Sequence, residues 1–336
     1  MRAMILTEPA KIETNPLVLR ELPIPEPGHG EILVKVEVCG ICRTDLHVVE
    51  GELPQRRANI VPGHQIVGIV QKCGAGTRRF KPGDRVGIAW LRFTCGKCRY
   101  CRAGNENLCP QARFTGYDEN GGYAEFATVL EDFAYRLPET LDPITAAPLL
   151  CAGIIGYRAL RRAQVKPACR LGLFGFGSSA SIAIQVAKHW GCEVYVMTRD
   201  QRHRSLASEM GADWVGDADS RPPELLDSAI LFAPVGTLVP PALELLDRGG
   251  TLALAGIYLT DIPPLNYQKH LFDEKHLTSV TANTRQDGEE LLKLAAEIPL
   301  RPRTTAFALT DANRALQMLK HDAISGSGVL VMKDAI

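Results

Sequence analysis

The pattern of apolar and polar positions changes character near Cys151. Before it, short runs with β-like alternation, E-I-L-V-K-V-E-V (31–38), I-V-G-I-V-Q-K-C (66–73) and D-R-V-G-I-A (84–89), are separated by the turn signals P-E-P-G, G-A-G-T and K-P-G-D. They predict an irregular, barrel-like β domain. After it, apolar strands alternate with helical patterns: a strand at 171–175, a helix at 178–190, a strand at 193–197, a helix through Met210, a strand at 229–233, a helix near 238–246 and strands at 251–256 and 278–281. Such alternation predicts βαβ units and a doubly wound parallel sheet, hence an α/β fold. From about Thr284 the chain reads as two helices and a closing strand, G-V-L-V-M, that return to the first domain. The expected organisation is one β-rich domain from 1–150 with 284–336, and a second domain from 151–283.

Composition narrows the function classes. The chain has 336 residues, enough for two cores, and a net charge of zero. Neither a basic field for nucleic acid nor an acidic tail is present. The first residues lack an apolar signal core. The longest charge-poor stretch, 143–157, is shorter than the ~20 residues that span a bilayer. The expectation is a cytoplasmic protein with a small-molecule substrate and neither nucleic acid nor membrane as partner.

Of the ten cysteines, four stand almost in a row, Cys95, Cys98, Cys101 and Cys109. Thiolates at this spacing can converge on one tetrahedral Zn²⁺, a closed structural site with no open position for substrate. A pair of disulfides and an iron–sulfur cluster are the alternatives.

The first strand of the parallel unit runs into Gly175-Phe176-Gly177-Ser178-Ser179-Ala180, a G-x-G-x-x-A turn followed directly by a helix. The first glycine permits the tight turn, the second lets backbone approach a pyrophosphate, and the small third residue allows helix–strand packing. Between a strand and a helix this reads as a dinucleotide site. The next strand ends in Thr198-Arg199, with Arg202 and Arg204 close behind, where a carboxylate would select NAD. A hydroxyl and guanidinium groups suit a 2′-phosphate, so NADP(H) is preferred over NAD(H). A solvated basic helix start is the bland alternative, and Asp200 weakens the positive field.

Cys39-Gly40-Ile41-Cys42-Arg43-Thr44-Asp45-Leu46-His47 follows the first long strand, and Pro62-Gly63-His64-Gln65 and Leu150-Cys151-Ala152-Gly153 come later. A thiolate, an imidazole and a second thiolate with a free fourth position would make an open catalytic zinc site. Spacing alone does not unite these scattered positions.

The chain resembles the zinc-containing medium-chain alcohol dehydrogenases, nearer their cinnamyl-alcohol-dehydrogenase-like branch. The resemblance rests on C-G-I-C-R-T-D-L-H, G-H-Q-I-V-G, the four-cysteine lobe at 95–109, G-G-Y-A-E-F (121–126), L-C-A-G and G-F-G-S-S-A, in the family order along essentially the whole chain. It implies a GroES-like catalytic domain beside a Rossmann nucleotide domain, two zinc ions per chain and a homodimer or tetramer joined through the edge strand near 278–281. By similarity Cys42, His64 and Cys151 bind the catalytic zinc, and Cys39 is a buried thiol. Asp45 orients His64. Thr44 takes the proton of the alcohol and passes it through the nicotinamide ribose to His47, and Arg43 pairs with the pyrophosphate. The plainer readings are a turn cap for Thr44, a surface histidine for His47 and an exposed charge for Arg43. The implied reaction is hydride transfer between a primary alcohol, aliphatic or aromatic, and NAD(P). A zinc-free quinone or enone reductase of the same superfamily, or a non-catalytic nucleotide-binding redox sensor, are the alternatives.

Three departures from the family pattern carry expectations. Gln65 replaces a common glutamate, which would leave zinc slightly more electrophilic. Ser325-Gly326-Ser327-Gly328 precedes the final strand where relatives often carry arginine, so pyrophosphate anchoring would lean on Arg43. The stretch 211–227 looks short. Trp90 and Leu91 lie where relatives shape the substrate pocket, and Trp90 reads as an apolar wall or as a core aromatic.

Overall fold

The structure is a computed structural model that describes residues 1–324 and 326–332. The chain divides into two compact units, Met1–Cys151 with Ala282–Ile336, and Ala152–Thr281.

The first unit is built on the long strand Glu31–Ile41, whose alternating Ile32, Val34, Val36 and Val38 are buried. It is antiparallel to Ile66–Cys73 on one side. On the other, its first half pairs with Phe126–Leu130 and its second half with Ser327–Val331. One strand thus has three partners, which bends the sheet toward a barrel. Arg85–Ile88 and Ala134–Arg136 extend the sheet beyond Ile66–Cys73, and Thr304–Ala308 runs parallel to Ser327–Val331. The core beneath includes Ile32, Val36, Ile66, Val86, Ile88 and Leu91, all essentially inaccessible to solvent. Leu91 is a fully buried core residue of the strand Leu91–Phe93.

The second unit is a six-stranded parallel sheet among the described residues. Its spatial order is Trp214–Gly216, Glu193–Met197, Arg170–Phe174, Leu226–Leu231, Leu246–Leu254 and His276–Ser279. In order of appearance this is 3-2-1-4-5-6, the doubly wound dinucleotide-binding topology. The strand Trp214–Gly216 lies in the stretch that looked short. With only three half-buried residues it has no alternation to read.

Two sequence expectations need correction or a limit. The helical run Pro143–Arg162 has 20 residues and is long and apolar enough, by length and composition, to cross a membrane. The charge-poor stretch ends at Tyr157, but the helix carries on through Arg158 to Arg162. The run is mostly buried inside the protein, as core helices are, and it contains Pro148 and a π-helical turn at Leu149–Gly153. Of the segment before the final strand, Ser325 lies outside the described residues.

Candidate active site

Three separate local devices bring Cys42, His64 and Cys151 together. Cys42 caps the helix Arg43–Glu50: its sulfur accepts the Thr44 N–H at 3.3 Å, and its own N–H donates to Asp45 Oδ2 at 2.9 Å. This reciprocal capping box fixes both side chains. His64 follows Gly63, whose φ of +97° suits glycine. A Cβ on Gly63 would stand 2.4 Å from the Tyr123 ring and 2.8 Å from Cys39 Sγ. The loop is pinned by backbone bonds from Gly122 N–H to the Gly63 carbonyl and from Tyr123 N–H to the Pro62 carbonyl, both 2.9 Å. The G-G-Y motif is thus the clamp on the His64 loop. Cys151 sits in the π-turn Leu149–Gly153, a widening of the helix that re-aims a side chain.

The three ligand atoms form a small triangle. His64 Nε2 is 3.2 Å from Cys42 Sγ and 3.4 Å from Cys151 Sγ, and the two sulfurs are 4.0 Å apart. Ligands of one tetrahedral zinc, at usual Zn–S and Zn–N lengths, would stand about 3.5–3.8 Å apart. The donor set therefore fits one zinc ion. On the far side of the ring, His64 Nδ1 lies 2.9 Å from Asp45 Oδ1, and both residues are buried. A carboxylate there holds the proton on Nδ1 and leaves the Nε2 lone pair facing the sulfurs. Burial, then the neighbouring Cys151, pushes the Cys42 thiol well above its usual range. Burial also opposes a charged His64, but Asp45 and Cys42 together outweigh it and raise the imidazole. The Cys42 and Cys151 sulfurs beside a carboxylate-backed imidazole are a site in which a divalent cation would replace protons. Cys39 is fully buried and stands apart from this trio, its thiol donating to the Gly40 carbonyl at 3.6 Å.

The second cluster brings Cys95, Cys98, Cys101 and Cys109 together, with all four sulfurs within 4.8 Å of one another. Backbone N–H groups of Cys95, Cys98, Cys101 and Gln111 point at these sulfurs at 3.3–3.5 Å, an arrangement that favours thiolates. The Lys97 and Cys98 N–H groups lower Cys95 to about 6, while Cys101 is pushed up to about 11, first by burial. All ten cysteines are free in this structure, and these four sulfurs form one group. Four convergent sulfurs fit a closed zinc site.

The remaining candidates have partners that the sequence did not disclose. Thr44 is buried on the first turn of the Arg43–Glu50 helix. His47, one turn on, is paired through Nδ1 with Glu52. Arg43 donates to Asp322 Oδ1 at 2.6 Å and is 44% exposed. Glu52 and Asp322 carry no motif signal and were missed. Trp90 is half-buried. Its ring meets the His64 ring edge-on at 4.9 Å and stacks on Phe114 at 4.9 Å and Tyr117 at 5.9 Å. Gln65 is 2% exposed, and its Nε2 has no hydrogen-bond partner among the described residues.

In the second unit Gly175 has φ +86°, and a Cβ there would meet the Ala233 backbone nitrogen at 3.0 Å. Phe176 is buried in the turn. Gly177 is exposed, and a Cβ added to it would meet nothing within 4 Å. It caps the 12-residue helix Ser178–His189 without a side-chain bond, so Ser178 and Ser179 begin the helix just past an open glycine. That is a cradle for an anionic pyrophosphate. At the tip of the next strand Thr198 is buried and Arg199 is exposed. Arg204 turns back, donating to the Thr198 and Arg199 carbonyls at 3.0 and 3.1 Å. It braces the turn and does not project from it. Asp200 caps the helix Gln201–Glu209, and its carboxylate is held well below the usual range by Arg202.

Comparison with known proteins gives concordant likenesses. The profile of the alcohol dehydrogenase GroES-like domain matches residues 28–139, and that of the zinc-binding dehydrogenase domain matches residues 180–297. A probable alcohol dehydrogenase, AdhA, from Mycobacterium tuberculosis is 53% identical over 99% of this chain and 97% of its own. A cinnamyl alcohol dehydrogenase from Sorghum bicolor is 27% identical with a TM-score of 0.88, covering 98% of this chain and 97% of its own. The CAD from Helicobacter pylori, complexed with NADP(H), is 26% identical with a TM-score of 0.88 over 100% of both chains.

Proposed function

The chain belongs to the family of zinc-binding alcohol dehydrogenases, oxidoreductases that act on CH–OH groups, and on that premise we propose a zinc-dependent, NADP(H)-preferring enzyme for primary alcohols and their aldehydes. The observation that carries it is the triangle of Cys42, His64 and Cys151 with Asp45 behind the imidazole. These three side chains would hold the catalytic zinc, and Cys95, Cys98, Cys101 and Cys109 a structural one. When bound, zinc supplies Lewis acidity toward the substrate oxygen and the nicotinamide supplies the hydride acceptor.

The chain's own groups do the rest. Asp45 fixes the His64 tautomer. Thr44, beside Cys42, takes up the hydroxyl proton of the alcohol, and His47, one turn along the same helix and paired with Glu52, releases it to solvent. Trp90 presents an apolar surface against His64, which favours a substrate with an apolar body. Gly177 and the N-terminus of the Ser178–His189 helix receive the pyrophosphate. The lack of a free carboxylate at the tip of Glu193–Met197, together with Thr198 and the exposed Arg199, supports a 2′-phosphate. Arg43 would exchange Asp322 for the pyrophosphate. Self-association through the sheet's outermost strand, His276–Ser279, belongs to the same reading.

The deciding experiment is metal analysis combined with initial rates on a panel of alcohols and aldehydes with both cofactors. Two zincs per chain and a higher kcat/KM with NADP(H) are expected. A strong preference for NAD(H) removes the cofactor assignment, and fewer than two zincs in active protein removes the metal assignment.

A further inference from the structure

Outside the two clusters, a pair of facing cysteines that the reaction does not use stands at the edge of two strands of the parallel sheet. Cys169 immediately precedes the strand Arg170–Phe174, and Cys192 immediately precedes Glu193–Met197. These strands are parallel neighbours with Arg170 opposite Glu193, and the Glu193 N–H donates to the Cys169 carbonyl at 3.0 Å. Extending the register by one step sets Cys169 opposite Cys192. Adjacent strands lie about 4.8 Å apart, inside the ~4.4–6.8 Å that Cα atoms of a disulfide span. Both side chains leave the same face, and the two sulfurs touch at 3.8 Å. Both residues are buried, Cys169 at 9% exposure and Cys192 at 1%.

We propose that Cys169 and Cys192 form a reversible oxidation site, a dithiol that closes to an intramolecular disulfide on reaction with a peroxide. One sulfur of the pair attacks one peroxide oxygen. The O–O bond breaks, water leaves and that cysteine becomes a sulfenic acid. The thiol of its partner then attacks that sulfur, its proton leaves with the displaced hydroxyl as a second water, and the S–S bond forms. Each sulfur is oxidised by one electron, and the peroxide takes both. The contact between the two sulfurs and the backbone N–H groups of Cys169 and Ala168 let the pair give up its first proton more readily than its second.

The ring so closed runs from 169 to 192. It contains the strand Arg170–Phe174, the glycine turn and the helix Ser178–His189. Oxidation would fasten the ends of this βα unit opposite its glycine turn, so it is expected to stabilise the nucleotide-binding unit without closing the turn itself. This inference stands whichever cofactor or alcohol the enzyme uses.

The test treats the zinc-loaded full chain with one equivalent of hydrogen peroxide, caps the remaining thiols with an alkylating reagent and maps peptides by mass spectrometry without reductant. The expected product is a joined peptide pair carrying Cys169 and Cys192, two hydrogens lighter than the sum of its parts and separated by dithiothreitol, with zinc retained. The oxidised protein should also melt on the order of 5 °C higher, a rise that is absent in C169S and in C192S. If either serine variant fails to fold, the peptide map of the unmodified sequence decides alone. Recovery of both cysteines as separately alkylated thiols, or of either as a sulfinic acid with no joined peptide, overturns the proposal. So does the same thermal shift in C169S.

Discussion

At the residue scale, the site depends on one carboxylate with two duties. Asp45 accepts the Cys42 N–H with one oxygen and faces His64 Nδ1 with the other. Asp45→Asn keeps the shape and one acceptor, so the helix cap survives if the amide oxygen turns toward Cys42. The amide NH₂ would then face Nδ1, favour a proton on Nε2 and aim it at the sulfurs. The expected result is a 10–100-fold loss in zinc affinity or activity at nearly unchanged melting temperature, roughly what removal of such a support costs elsewhere. Zinc retention after dialysis against a chelator, together with kcat/KM, measures it. Gln65 presents a different case, a buried amide nitrogen with no acceptor among the described residues. Leaving a donor unpaired costs about 1–3 kcal/mol. Gln65→Met, similar in volume and without the amide, is therefore expected to gain about 1 kcal/mol, read in chemical denaturation. A loss of stability there would show that the amide has a partner in solution.

At the scale of elements, the two glycines of the nucleotide turn do different work and can be separated. Gly175 is a conformational requirement: its φ is +86° and a Cβ would crowd Ala233 at 3.0 Å. Gly175→Ala is expected to cost about 1–3 kcal/mol of stability. Gly177 is a requirement of space, since its φ of −96° suits any residue and its missing Cβ faces emptiness. Gly177→Ala should therefore fold normally, yet raise the KM for the dinucleotide tenfold or more if the pyrophosphate occupies that space. Calorimetry and cofactor titration of the two variants distinguish the roles, and an unchanged KM in Gly177→Ala would sink the cradle. The sequence disclosed this turn because its signal is local, a strand, two glycines and a helix in succession. The same holds for the four-cysteine lobe. Elements without a local signal went unread. Trp214–Gly216 is too short to alternate, and the π-turn at Leu149–Gly153 gives no composition cue.

Across the whole chain, the difficulty in reading the sequence was separation. His64 is 22 residues from Cys42, and Cys151 is 87 residues from His64, so spacing could nominate each ligand but not unite them. Likeness to a family supplied the grouping. Side-chain pairs such as His47–Glu52 and Arg43–Asp322 were illegible because surface polar groups occur everywhere and motifs do not specify their partners. The return of the tail to the first unit is a further long-range event, and beside the pairing of Ser327–Val331 with Glu31–Ile41 one ion pair helps to hold it. Glu106, inside the four-cysteine lobe, accepts from the Arg285 backbone N–H at 2.8 Å and from its guanidinium at 2.7 Å, 179 residues along the chain. Arg285 opens the helix Arg285–Glu297 and also stacks on Phe133 at 4.7 Å. Burial works to raise the Glu106 carboxyl, but the hydrogen bonds and charge of Arg285 outweigh it and hold the group below its ordinary range. A carboxylate whose folded value is depressed contributes stability above its unfolded pKa of about 4.3 and loses it as pH falls through the folded value. Arg285 is 36% exposed, so solvent screens the pair and Glu106→Gln should cost about 1–2 kcal/mol at pH 7, short of the loss for a fully buried pair. The difference between the two proteins is expected to stay level from pH 7 to about 5 and to shrink below about 4, as Glu106 itself becomes neutral. Zinc release at acid pH is common to both and cancels in the difference. Urea denaturation of the parent chain and the variant across this range measures it. A gap that persists undiminished at the acid end would mean that Glu106 acts through shape and not through charge.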